Sequence, residues 1–265
     1  MVNVVTGLWP LEQAAIEIGQ GNVTVHDVVP AGQDPRTYRL DAAQVRQVRT
    51  AGLVIEMAGG FQPSLAAAAA GARHVLDLPT AAGNATYPWL SPHDMQGVAR
   101  EIEAALVRVD PAARNTFANG EGDEAALLTS LDGDFISTLN SCSVRTVVTS
   151  GDAFGVLGGR YLLHVVPLDG SRTQPLRPSP ATVAREVALV RHLGVHEIYR
   201  DVWQPPDGLL QVQAEAGVGL GTLDPLTGEP PGGWPKHLKT YFQLMEYDLQ
   251  VISGGLGCPQ SGLSG

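Results

Sequence analysis

Residues 22–57 read NVTVHDVVPAGQDPRTYRLDAAQVRQVRTAGLVIEM and contain one complete strand–helix–strand unit. The β-branched run at 22–29 predicts a strand. Residues 41–50 have helical spacing and begin with Asp41, a residue suited to capping a helix. The apolar run LVIEM at 53–57 predicts a buried strand. A strand, a helix and a second strand in this order are typical of a parallel βαβ unit.

The same alternation continues on both sides of this stretch. In the C-terminal part it predicts, among other elements, a helix at 152–160, a strand at 162–166 and a helix at 180–193. From residue 93 to about residue 141 the strand pattern disappears and only helical patterns remain, before strands and helices alternate again. We therefore predict an α/β fold of two lobes, each a mainly parallel sheet flanked by helices, joined by a long helix with a cleft between the lobes. The predicted divisions are an N-terminal lobe, a helical segment that includes the linking helix, and a C-terminal lobe, at residues 1–92, 93–141 and 142–265.

Composition and motifs narrow the function classes. The chain has 265 residues and a net charge of −10, with no block of lysine or arginine, which argues against nucleic acid as a partner. The run GVGLG at 217–221 leads into TLDPLTG and not into a helix, so it is not a dinucleotide fingerprint. Ser150 does not lie in a GxSxG motif. We therefore predict that the protein is not an enzyme.

Two further features concern location and redox state. The first residues, MVNVVTGLWP, already have a strand pattern and show no secretion signal. No window approaches about 18 consecutive apolar residues, so no membrane span is predicted. Cys142 and Cys258 lie far apart, and the residues alone leave open one disulfide or two unrelated thiols.

The order of several motifs resembles one family over nearly the whole chain. These motifs are VVTGLWPLEQAA and QDPRTY, then YPWLSPHDMQGVAREIEAAL, VVTSGDAFGVLGGRY, GLGTLDPLTG and YFQLMEYDLQVISGGL. The chain is similar to the metal-binding solute-binding proteins of ABC importers, which carry zinc or manganese. The resemblance implies two lobes bridged by a rigid helix, with a metal ion bound between them by four side chains. It also implies a monomer, exported to the periplasm or lipid-anchored outside the cytoplasmic membrane, which serves an ABC permease and ATPase.

The resemblance also locates the four ligand positions. The family's first histidine, after Asp-Pro, corresponds to Arg36, and the second, two residues before Trp-Leu, corresponds to Tyr87. The third ligand, a histidine or glutamate, corresponds to Gly151. The fourth, an aspartate, is matched by Asp224, the one metal-ligand type retained. Arginine carries only donors, glycine has no side chain, and tyrosine must lose its phenolic proton before it can ligate.

Our hypothesis is that the guanidinium of Arg36 takes the cationic place of the metal and pairs with Asp224 or with Asp152. The alternative is that Arg36 points to solvent. Three functions stay open: a receptor that binds metal unconventionally, a receptor diverged towards a metal chelate or another polar solute, and a non-transport binding or scaffold protein. An exported setting favours the Cys142–Cys258 disulfide. Gly120 and Gly122 either loosen the linking helix or interrupt it.

Overall fold

The computed structural model of the protein describes residues 1–78, 87–168, 179–204 and 207–259. The chain forms two compact units. The first comprises Met1–Asp132 and Leu226–Tyr241, and the second comprises Gly133–Pro225 and the segment that begins at Phe242. The chain therefore passes from one unit to the other three times.

The first unit is built on four parallel strands in the order β2-β1-β3-β4. Val5 and Val54 of its central strands pack against Val48 and Leu65, which lie on two of the helices. The elements of this unit, in chain order, are β1 (Val2–Thr6), α1 (Trp9–Gly19), β2 (Val23–Asp27), α2 (Ala42–Thr50), β3 (Leu53–Met57), α3 (Pro63–Ala69), β4 (Val75–Leu78), a 3-10 turn (Pro88–Leu90), α4 (Pro92–Val109) and a 3-10 turn (Pro111–Ala113).

A long helix, α5 (Arg114–Asn140), crosses the boundary between the units at Asp132. The second unit repeats the topology of the first, with four parallel strands in the order β6-β5-β7-β8. Its elements are β5 (Thr146–Thr149), a 3-10 turn (Ala153–Gly155), α6 (Val156–Tyr161), β6 (His164–Pro167), α7 (Pro180–Leu193), β7 (Glu197–Asp201), α8 (Asp207–Ala216), β8 (Gly219–Leu223) and α9 (Tyr241–Gly255). Within the described residues, no helix combines the length and apolar character needed to cross a bilayer.

Local sequence explains where several helices begin and end. Asp41 accepts hydrogen bonds from the backbone N–H groups of Ala43 and Gln44, and Oε1 of Gln44 accepts the backbone N–H of Asp41, which completes a capping box on α2. Ser179 caps α7 through the backbone N–H of Thr182, and Gly194 ends it in the left-handed conformation. The two-lobe α/β class predicted from sequence is confirmed.

Two local predictions in the second unit need correction. The helix predicted at 152–160 is a 3-10 turn followed by the short helix α6, in a segment whose glycines, Gly155, Gly158 and Gly159, have low helix propensity. The strand predicted from residue 162 begins at His164, because Leu162 ends α6 in the left-handed region with φ 54°. The three-part division at residues 92 and 141 stays a prediction.

Gly120 and Gly122, in the first third of α5, have different roles. The helix runs without interruption through both of them. A Cβ atom on Gly120 would lie 2.5 Å from the carbonyl oxygen of Ile18 and 2.8 Å from that of Glu17, whereas a Cβ on Gly122 meets nothing within 4 Å. Gly120 is therefore the residue that lets the backbones of α1 and α5 approach closely within the first unit.

Substituting alanine at these two positions should have opposite effects on stability. Gly120→Ala should lower the free energy of unfolding by about 2 kcal/mol, because rigid backbone atoms must move apart. Gly122→Ala should raise it by about 0.5–1 kcal/mol, because alanine loses less conformational freedom in a helix. Urea unfolding of both variants measures these changes. Equal effects of the two substitutions would contradict the close approach of α1 at Gly120.

Candidate functional site

The loop after β2 carries Arg36 and is organised by Asp34. One carboxylate oxygen of Asp34 accepts the backbone N–H of Arg36 at 2.9 Å. The backbone oxygen of Asp34 accepts the N–H groups of Thr37 and Tyr38, at 3.1 and 2.9 Å. The Asp-Pro step therefore forms a tight turn that fixes where the Arg36 side chain starts.

The guanidinium of Arg36 forms a forked ion pair with this same aspartate. Arg36 Nε donates to Asp34 Oδ1 at 2.9 Å, and Nη2 donates to Oδ2 at 2.8 Å. The remaining amino group, Nη1, donates to the phenolic oxygen of Tyr87 at 3.1 Å. Because both charges are less than a quarter exposed, at 17% for the Arg36 side chain and 23% for Asp34, the pair is partly shielded from water. The structure thus brings two of the predicted positions, Arg36 and Tyr87, into direct contact.

An aromatic cluster holds Tyr87 in place. The rings of Phe61, Tyr87 and Trp89 meet edge to face, with centroid separations of 5.4 to 5.7 Å. Edge-to-face contacts of this kind are favourable for aromatic quadrupoles. Tyr87 is buried, so packing fixes its side chain and holds the phenolic oxygen in a defined position beside Arg36.

In the second unit, Gly151 lies just beyond the carboxyl end of β5. Its carbonyl oxygen accepts the hydroxyl of Thr149 at 2.7 Å. A Cβ atom on Gly151 would lie 2.9 Å from Nε2 of Gln204, whose residue follows β7. The amide of Gln204 therefore occupies the space that the side chain of another residue at position 151 would enter. Asp152, the next residue, is exposed.

Asp224 follows β8 and lies within a group of buried carboxyl groups in the second unit. Its backbone N–H points at both carboxyl oxygens of Asp248, at 3.2 and 3.3 Å. Burial raises the pKa of Asp248 well above its ordinary value, and the charges of Asp224 and Asp201 raise it further. The raised pKa favours the protonated form of Asp248, so its carboxyl group places less negative charge beside Asp224 than an ordinary aspartate would.

These groups suit hydrogen bonding better than metal capture. The guanidinium of Arg36 has only donors, and the amide of Gln204 offers a divalent ion only a neutral carbonyl oxygen, which is a weaker zinc ligand than imidazole, thiolate or carboxylate. Across the part of the chain that the structure describes, no group of three or more histidine, cysteine, aspartate or glutamate residues is placed to hold a metal ion. Asp34, Gln204 and Asp248 were not singled out from sequence; Asp34 and Asp248 lie inside the quoted motifs QDPRTY and YFQLMEYDLQVISGGL, whereas Gln204 lies outside the quoted motifs.

The two cysteines are joined in the structure. Cys142 follows α5 and Cys258 follows α9, and their sulfurs form a disulfide that links residues 116 positions apart. Both cysteines belong to the second unit and are nearly fully buried. The bond closes most of that unit into one covalent loop.

Solved structures of several metal-binding proteins share this fold of two α/β units. The structure superposes on the Zn(II)-bound ZnuA-like domain of Streptococcus pneumoniae AdcA with a TM-score of 0.82, covering 96% of this chain and 98% of that domain. Sequence identity there is 21%, so this likeness shows the fold. The chain itself belongs to the family described as zinc-uptake complex component A, periplasmic, whose model matches residues 4–255. Because that family consists of solute-binding receptors, the prediction that the chain is not an enzyme is confirmed.

Two curated relatives match parts of the chain. Zinc-binding protein AdcA of Streptococcus pyogenes serotype M1 is 26% identical over 167 residues, which cover 62% of this chain and 32% of that protein. The high-affinity zinc uptake system protein ZnuA of Bacillus subtilis is 26% identical over 168 residues, or 63% of this chain and 52% of that protein. The chain thus matches about a third of the first relative's length and about half of the second's.

Proposed function

We propose that the protein is the extracytoplasmic solute-binding component of an ABC importer of the zinc and manganese class, and that it has lost tight capture of the free ion. The observation that carries this proposal is the guanidinium at position 36. It contacts Asp34 and Tyr87 at the place where the family resemblance expects two histidines. A guanidinium there supplies no lone pair to a divalent ion.

The donor groups favour a hydrogen-bonding solute as the second candidate. Arg36 is already neutralised by Asp34, so this pair attracts a bare anion less strongly than an unpaired arginine would. The phenol of Tyr87 and the amide of Gln204 both donate and accept hydrogen bonds. A metal chelate or another polar solute matches this chemistry better than a free ion does. Pairing of Arg36 with Asp224 or Asp152 stays a prediction.

The remaining proposals concern setting and partners. The family description places its members in the periplasm, so we propose an exported protein that delivers its solute to a membrane permease driven by an ATPase. A lipid anchor and a monomeric state belong to the same proposal. The disulfide between Cys142 and Cys258 supports it, because such bonds persist in oxidising compartments.

Calorimetric titration of the metal-stripped chain with zinc and with manganese tests the loss of metal capture. We expect dissociation constants weaker than about 100 µM for both ions, as for a site with one carboxylate ligand. Submicromolar binding of either ion with one-to-one stoichiometry would overturn the proposal.

A further inference from the structure

Residues Leu226–Tyr241, here called the strap, leave the second unit and return to the first. The strap begins two residues after Asp224 and ends where α9 begins. Its sequence is rich in proline and glycine, and Gly232 and Gly233 adopt positive φ values of 96° and 77°. The strap thus follows an irregular path and depends on contacts with the first unit to define it.

One set of contacts joins the strap to the turn between β1 and α1. The backbone N–H of Trp9 donates to the carbonyl oxygen of Thr227 at 3.4 Å. The ring of Trp234 packs on the ring of Trp9, with centroids 4.6 Å apart. An aromatic contact of this size fixes the middle of the strap against the start of α1.

A second set joins the strap to the two segments that carry Arg36 and Tyr87. The N–H of Gly32, four residues before Arg36, donates to the carbonyl oxygen of Glu229 at 2.8 Å. The hydroxyl of Tyr241 donates to the carbonyl oxygen of Trp89, two residues after Tyr87. Gly228 also lies close to the ring of Pro35. A Cβ atom built on Gly228 would be 3.8 Å from Cγ of Pro35.

We propose that the strap is a positioning element for the solute site, with Trp234 as its anchor. It holds the Arg36 loop and the Tyr87 turn in the register that lets the guanidinium meet the phenol. The positioning role rests on the proposed function only in treating Arg36 and Tyr87 as parts of a solute site.

Hydrogen exchange monitored by mass spectrometry tests the role of the strap. We expect Trp234→Ala to raise amide exchange at least tenfold in peptides covering residues 30–38 and 87–90. Exchange in β5 and β7 of the second unit should be unchanged. Trp234→Phe keeps a ring against Trp9 and should restore slow exchange, and Lys236→Ala, which changes an exposed side chain of the same strap, should have no effect.

The outcome of this experiment is independent of metal. Wild-type exchange at 30–38 in folded Trp234→Ala, or a uniform increase across both units, would overturn the positioning role. If Trp234→Ala does not fold, Trp234→Leu gives the same comparison with a smaller loss of packing. Tight zinc binding by the wild-type chain would contradict the proposed function and leave the exchange result intact, so the two failures are distinguishable.

Discussion

Replacing Arg36, Tyr87 and Gly151 together by histidine should produce a chain that binds zinc about 1,000-fold or more tightly than the wild type. That change is about 4 kcal/mol of binding free energy. The family resemblance implies that these three positions share one metal site with Asp224, and three imidazoles with a carboxylate are ligands that zinc prefers. The change at position 36 also replaces a guanidinium, which has no lone pair for a metal, by an imidazole, which has one. At position 151 the new side chain meets Nε2 of Gln204, the mobile end of a long side chain that can turn aside. Calorimetric titration of the triple variant with zinc measures the gain.

A matched control variant separates the effect of the new imidazole groups from the effect of removing the original side chains. The variant Arg36→Gln, Tyr87→Phe, Gly151→Ala changes the same three positions without adding an imidazole and should gain no affinity for zinc. Adding Asp224→Asn to the triple histidine variant should weaken zinc binding at least tenfold, because an amide oxygen is a poorer ligand than a carboxylate. A folded triple histidine variant with no affinity for zinc would show that these four positions do not form one site.

Elements with strong local signals were predictable from sequence. The run LVIEM forms β3 at the predicted residues, Leu53–Met57, because β-branched and apolar residues suit a strand buried on both faces. Helix α7 spans Pro180–Leu193 as predicted, because Ser179 and Pro180 mark its start and Gly194 its end. In both cases the deciding residues lie within a few positions of the element they define.

Features that depend on distant contacts were not predictable. From sequence, Gly120 reads as a weak point in a helix, yet its role depends on the backbone of α1, about 100 residues earlier in the chain. The strap has no periodic hydrophobic pattern, so its sequence does not predict that it packs with the first unit. Its position follows from single contacts, such as the one between Trp234 and Trp9.

The candidate site likewise contains some residues that the sequence identified and others that only the folded structure reveals. The motif frame identified Arg36 and Tyr87 as positions of interest, and the structure joins them by a hydrogen bond. The frame did not identify Asp34 as the partner of Arg36, although it lies two residues away, since an Asp-Pro step is common in turns for backbone reasons alone. Gln204 and Asp248 come from other elements of the second unit, and only the folded chain brings them to Gly151 and Asp224.

Removing the Cys142–Cys258 disulfide should lower the free energy of unfolding of the second unit by about 3–5 kcal/mol. The bond joins residues 116 positions apart, and closing a loop of that length removes much of the freedom of the unfolded chain. Guanidinium unfolding of Cys142→Ser, Cys258→Ser against the wild type measures the loss. Among the described residues, Trp203 is the only tryptophan of the second unit. In a background where the other tryptophans are replaced by phenylalanine, its fluorescence reports the unfolding of that unit separately.

A double-mutant cycle assigns the loss to the bond itself. If the disulfide is its source, each single serine variant should lose about as much stability as the double variant, because breaking either end breaks the same cross-link. Dithiothreitol should lower the free energy of unfolding of the wild type and leave that of the double variant unchanged. Additive losses from the two single variants would instead point to packing of the buried sulfurs, and two titratable thiols in protein purified without reductant would show that the bond does not form.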